Sequence, residues 1–137
     1  MDNIYKEFIQ KLKTISFKNK ATVVYLQGDL GSGKTTFTKN LTKYLGLNID
    51  ITSPTFVILK SYDFPVEHFK KLIHIDAYRL ESYKDLQKIK IGDYLSNKEN
   101  IIFIEWPSVI SDGDIKPDIR LTFDYVEGVD ERSVKID

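Results

Sequence analysis

The run Gly28-Asp29-Leu30-Gly31-Ser32-Gly33-Lys34-Thr35 sets glycines, a lysine and a hydroxyl at the spacing G-x-x-x-x-G-K-[ST]. Residues of these types do phosphate chemistry. A glycine-rich loop brings backbone N–H groups close to an anion. A helix that follows aims its positive dipole end at the same anion. Lys34 can then reach the β- and γ-phosphates of a nucleotide, and the Thr35 hydroxyl can ligate Mg²⁺. Read blandly, the segment is a glycine-rich turn with a surface lysine. Its flanks argue against that: the apolar run Ala21–Leu26 reads as a buried strand leading in, and Thr35–Leu45 reads as a helix leading out, closed by Gly46.

A phosphate loop with a metal needs a carboxylate, because Mg²⁺ takes oxygen ligands, usually one or two carboxylates with phosphates and water. Two apolar runs end in one: Ile73-His74-Ile75-Asp76 and Ile101-Ile102-Phe103-Ile104-Glu105. In an open α/β sheet, ligands bind beyond the carboxyl ends of the strands. The loop, Asp76 and Glu105 all fall at such ends.

The elements that must position these groups follow from periodicity. Ile4, Phe8, Ile9, Leu12 and Ile15 keep helical spacing, so an amphipathic helix opens the chain. Phe56–Tyr62 reads as a strand, followed by a turn around Asp63-Phe64-Pro65 and a second strand over Lys71–Asp76. Asp85–Ile89 and Ile91–Leu95 read as short helices. Ile101–Glu105 is continuously apolar, as expected of a strand covered on both faces. Ile119–Tyr125 and Arg132–Ile136 alternate, which suggests antiparallel pairing with one wet face. The expected class is α/β: a P-loop NTPase-like, mixed, mostly parallel sheet flanked by helices, with late antiparallel strands, in a single domain over 1–137.

Composition narrows the function. The chain has 137 residues, 42% hydrophobic and 29% charged, which suits a globular domain. Its 20 basic and 20 acidic side chains cancel, and the lysines are dispersed, so strong direct binding to nucleic acid is not expected. There is no cysteine, which excludes disulfides and thiolate chemistry. No apolar run approaches the roughly 18 residues of a membrane span, and Met1–Glu7 lacks a signal-peptide core. The expectation is a cytoplasmic protein without a membrane role. The two histidines have no metal-site spacing; His74, inside an apolar strand, reads as a satisfied core residue or a support behind the site.

Four blocks together carry a resemblance: Gly28-Asp29-Leu30-Gly31-x-Gly33-Lys34-Thr35-Thr36-Phe37, Ser53-Pro54-Thr55-Phe56, His74-x-Asp76-x-Tyr78-Arg79-Leu80 and Ile104-Glu105-Trp106-Pro107. In order and spacing, from about Ala21 to the C-terminus, they resemble the TsaE (YjeE) family. These are small ATPases of bacterial tRNA threonylcarbamoyladenosine biosynthesis. The resemblance implies ATP and Mg²⁺ as ligands. It implies that Gly31, Ser32, Gly33, Lys34, Thr35 and Thr36 hold the phosphates, and that Thr35 and Glu105 ligate the metal. Asp76 would serve hydrolysis by orienting the attacking water or by supporting the metal shell. Thr55, in a switch-like loop, would sense the γ-phosphate. Trp106 would lie near the nucleotide or simply pack, and Arg132 would contact the nucleotide from the late strand pair. Two departures stand out. The N-terminal entry lacks the family's Ser/Thr-rich segment, so base contacts do not transfer, and Lys39-Asn40 replaces a common Arg-Gly pair.

The mechanism this implies is Mg²⁺-dependent ATP hydrolysis with Lys34, Asp76 and Glu105 as catalytic groups, used as a conformational switch. No arginine stands in the loop or its helix, so slow turnover alone and activation by a partner are expected. The resemblance names the partners: the TsaD–TsaB pair, which modifies the tRNA adenosine beside the anticodon, with tRNA met only through that complex. Two other readings compete. One is a small P-loop metabolite kinase, against which stand only three scattered arginines, Arg79, Arg120 and Arg132. The other is an ATP-sensing interaction module without useful turnover, against which stand the two carboxylates.

Overall fold

A computed structural model of the chain describes residues 2–15, 19–29, 33–52, 57–125 and 132–137. In chain order the elements are α1 (Asp2–Thr14), β1 (Thr22–Gln27), α2 (Lys34–Tyr44), β2 (Leu59–Asp63), β3 (Lys71–Asp76), α3 (Tyr83–Lys88), α4 (Ile91–Leu95), β4 (Asn100–Glu105), a 3₁₀ turn (Pro107–Ile110), β5 (Ile119–Tyr125) and β6 (Arg132–Ile136). The strands form one six-stranded sheet in the order β2-β3-β4-β1-β5-β6. The central pairs β3/β4, β4/β1 and β1/β5 are parallel, and the two outer pairs are antiparallel. This is the mixed, mostly parallel sheet that the alternation of strand and helix patterns predicts.

The pleat sorts the core into two layers, because successive side chains leave a strand on opposite faces. Val24, Leu26, Leu72, Ile101, Phe103, Ile119, Leu121 and Phe123 meet Tyr5, Phe8 and Leu12 of α1 and Phe37 and Leu41 of α2. Val23, Ile73, Ile75, Ile102 and Ile104 meet Leu86 of α3, Ile91 of α4 and Ile110 of the 3₁₀ turn. β4 lies between the layers and is buried at all six positions, which is why its sequence shows no alternation. Phe8 and Phe103 are fully buried and meet edge to face, with ring centroids 5.8 Å apart. In β5, Ile119, Leu121 and Phe123 are buried while Arg120 and Asp124 are exposed, the wet face expected there.

Two details differ from the reading of the sequence. The first antiparallel strand runs Leu59–Asp63, not Phe56–Tyr62; Val57 and Ile58 precede the ladder, and Phe56 lies outside the described residues. Its bounds are set by β3, which it pairs from Leu59↔Ile75 to Asp63↔Lys71, where the terminal pair adds a 2.6 Å ion pair. A partner strand, not local apolarity, decides where pairing begins. The first short helix also starts differently: Ser82 caps α3 by accepting from the Lys84 N–H, so it begins ahead of Asp85, whereas α4 spans Ile91–Leu95 as expected. The break before α4 falls on Lys90, in the left-handed region at φ 60°.

Candidate functional site

β1 ends at Gln27, and α2 begins seven residues later at Lys34. Gly33, at φ 101° and ψ 16°, is the residue that admits this turn; a side chain there would be strained. The start of α2 has no side-chain cap and no acidic residue in its first turn. Its leading N–H groups have no intrahelical partner by construction, and the helix's own first turn carries no acidic side chain to occupy them. The other end closes on Gly46 at φ 75°, with Gly46 N–H donating to Lys43 O and Leu47 N–H to Thr42 O. That pair of bonds satisfies the last carbonyls and fixes the helix against the α1-side core.

Lys34 is 5% exposed although it is a lysine. Its amine donates to the carbonyls of Gly28 and Asp29, the latter at 3.3 Å. Burial lowers its pKa, with the carboxylates of Glu105, Asp76 and Asp29 acting the other way. Nζ also lies 3.8 Å from the centroid of the Trp106 ring, a cation–π distance. Trp106 reaches that place because its backbone turns left-handed, φ 59° and ψ 51°, directly after β4 and before Pro107. A bulky residue seldom adopts this conformation. The Tyr78 ring, of a residue 46% exposed, packs on Trp106 with centroids 5.0 Å apart.

The two carboxylates meet where the sheet register puts them. Asp76 ends β3, Glu105 ends β4, and they are register partners. Counting by twos from Leu72 and Ile101, both leave the sheet on the α2 side. The Thr35 hydroxyl donates to Glu105 Oε2 at 2.8 Å, across 70 residues of sequence. His74 Nε2 lies 2.6 Å from the same oxygen. Asp76 is half-buried and accepts the Tyr78 N–H at 3.0 Å. Burial raises its pKa, chiefly by desolvation; the Tyr78 N–H pulls the other way, and the Glu105 charge adds to the rise. A cleft of about 180 Å³ opens beside the loop, lined by Gln27, Gly28, Asp29, Trp106, Pro107 and Ser108.

The fold therefore brings together Gly33, Lys34, Thr35, Asp76, Glu105 and Trp106. Thr36 follows in the first turn of α2 with an exposed side chain. Gly31, Ser32 and Thr55 lie outside the described residues. Arg132 sits on β6, at the edge of the sheet beyond β5. Its side chain is not described, and the fold does not bring its strand beside β3 or β4. The Thr35 hydroxyl and the Glu105 and Asp76 carboxylates are hard oxygen donors, which suits Mg²⁺. Among the described residues no group of three His, Cys, Asp or Glu side chains could cage a metal alone, so an ion here would draw its other ligands from phosphate and water. His74 is the site residue whose contact the sequence reading left unspecified. Its signal was the H-x-D spacing, which puts His74 and Asp76 on one face of one strand.

A mixed, mostly parallel sheet with a glycine-rich segment feeding a helix, and two carboxylates at neighbouring strand ends, defines a P-loop NTPase-like α/β protein. The chain is similar over its whole length to Bacillus subtilis YdiB, seen in a crystal structure: TM-score 0.65 and 28% identity, covering 98% of this chain and 78% of that one. The model of the family described as "Threonylcarbamoyl adenosine biosynthesis protein TsaE" matches residues 2–134, and the chain belongs to that family. Similar relatives named "tRNA threonylcarbamoyladenosine biosynthesis protein TsaE" occur in Haemophilus influenzae and Borreliella burgdorferi. The first is 33% identical over 132 residues, 96% of this chain and 77% of the relative. The second is 37% identical over 110 residues, 75% of this chain and 77% of the relative. No helix among the described residues is long and apolar enough to cross a membrane.

Proposed function

We propose that this chain is a single-domain, cytoplasmic, Mg²⁺-dependent ATPase that supports the TsaD–TsaB pair in threonylcarbamoyl modification of tRNA. Membership of the TsaE family supports the pathway. The observation that carries the chemistry is the Thr35–Glu105 contact beside the buried Lys34.

On this reading Lys34 exchanges the carbonyls of Gly28 and Asp29 for phosphate oxygens. Its burial makes that exchange favourable, because a desolvated ammonium gains more from a full anion than from carbonyl dipoles. The N–H groups at the start of α2 and the Gly31–Gly33 loop bind the remaining phosphate oxygens. Thr35 and Glu105 would hold Mg²⁺, which would neutralise phosphate charge there. Glu105 Oε2 already has two contacts, so water placement falls to Asp76. Burial makes the Asp76 carboxylate more basic than an exposed one, which suits a group that accepts a hydrogen bond from an attacking water. Thr55 senses the γ-phosphate, Trp106 covers the Lys34 side of the cleft, and Arg132 contributes only if its edge strand reaches the nucleotide.

No arginine stands in the loop or in α2, where one would accelerate phosphoryl transfer. Turnover is therefore slow alone and faster with TsaD–TsaB, and tRNA is met only through that complex. The test is phosphate release from Mg-ATP by the chain alone and with TsaD–TsaB, with Lys34→Ala as control. Stimulation by the pair, absent in the variant, supports the proposal. Binding of ATP without stimulated release turns the reading to a nucleotide sensor. Phosphate passed to a small acceptor turns it to a kinase.

A further inference from the structure

His74 is fully buried at the centre of β3, in register with Phe103 and on the same face as Leu72. Nothing about packing calls for an imidazole there. Its Nδ1 has no hydrogen-bond partner among the described residues, and a buried polar atom left so is costly. A leucine would fill an apolar layer without that cost. The other ring nitrogen explains the residue. Nε2 lies 2.6 Å from Glu105 Oε2. An ionised carboxylate only accepts, so the hydrogen of this contact sits on Nε2, which donates it. Oε2 thus takes one hydrogen bond from β3, through His74, and one from α2, through Thr35. Two rigid elements hold one carboxylate oxygen from two sides.

We infer that His74 is a positioning residue: its Nε2–H fixes the Glu105 carboxylate in the orientation that a phosphate-bound divalent cation requires. This rests on the reading of Glu105 as a metal-holding group. His74 touches neither nucleotide nor metal; it acts through Glu105. Groups that hydrogen-bond a metal-ligating side chain typically contribute about 10–100-fold in metal affinity or activity.

The experiment uses Mn²⁺ as the probe ion and a non-hydrolysable ATP analogue. It reads Mn²⁺ affinity of the protein–analogue complex by electron paramagnetic resonance, analogue affinity in EDTA, and the thermal midpoint. His74→Leu should weaken Mn²⁺ about 10–100-fold while leaving analogue affinity in EDTA and the thermal midpoint near wild type. His74→Gln, whose amide nitrogen can stand in for Nε2, should recover most of the loss. In a Glu105→Gln background, His74→Leu should add nothing further. Wild-type Mn²⁺ affinity in His74→Leu overturns the inference, and so does equal weakening in the Leu and Gln variants. Should the Leu variant not fold, His74→Asn replaces it: its shorter amide falls short of Glu105, so Asn must lose affinity where Gln keeps it, and equal behaviour overturns the inference. Wild-type protein that binds the analogue but no Mn²⁺ overturns the metal reading of Glu105 itself, a failure distinct from the loss of His74's role alone.

Discussion

The amine of Lys34 lies 3.8 Å from the ring centroid of Trp106, so the residue expected to hold phosphate rests against the only tryptophan in the chain. Phosphate that draws the amine away changes the field on the indole. Intrinsic fluorescence should therefore change in a saturable way as Mg-ATP is added. Lys34→Ala should show no such change at the same concentrations. A wild-type titration with flat emission, in a sample shown to bind ATP by another method, would place Trp106 outside the coupling.

Thr35 donates its hydroxyl to Glu105 while its methyl group plays no polar part. Thr35→Val keeps shape and removes the donor and proposed metal ligand; Thr35→Ser keeps both. Turnover with Mg-ATP should fall by about 10²–10³-fold in the valine variant, the size of losing one transition-state contact to charge. The serine variant should stay near wild type. Steady-state phosphate release measures both, and equal activity of the two variants would remove Thr35 from the site.

Asp76 bears on stability through pH. Its folded pKa is raised, first by desolvation, so the folded chain favours the protonated carboxyl. Its contribution to stability is present below the unfolded pKa and is lost as pH rises through the folded value. At neutral pH the half-buried charge costs stability. Without metal or nucleotide, Asp76→Asn should have a higher thermal midpoint than wild type at pH 7. That advantage should shrink toward and below about pH 4, where the aspartate is protonated in both states. The same variant should lose ATP hydrolysis, an exchange of stability for activity common at functional sites. A midpoint difference that does not vary with pH would contradict the assignment.

Phe103 supports the strand that carries Glu105. It is fully buried and packs edge to face on Phe8. Phe103→Ala should cost about 3–5 kcal/mol, a large share of the roughly 5–15 kcal/mol available to a domain. Urea unfolding followed by far-UV circular dichroism measures it; a loss below about 1 kcal/mol, far under the usual cost of such a cavity, would mean that the α1 layer collapses to fill the space.

Much of this protein was legible in its sequence because the signals are local. Helical spacing from Ile4 to Leu12, the glycine loop with Lys34 and Thr35, and apolar runs ending on Asp76 and Glu105 each depend on neighbours in the chain. They gave the element types and the α/β class without any long-range contact. The tertiary structure decided what depends on register and on turns between distant segments. The start of β2 at Leu59 follows from its pairing with β3. The left-handed turn at Trp106 brings its ring over Lys34, 72 residues away in sequence by their numbers. The bond from His74 to Glu105 exists because β3 and β4 run parallel with Asp76 opposite Glu105. A sequence specifies which side chains leave each face of a strand, but pairing fixes which of them share an oxygen.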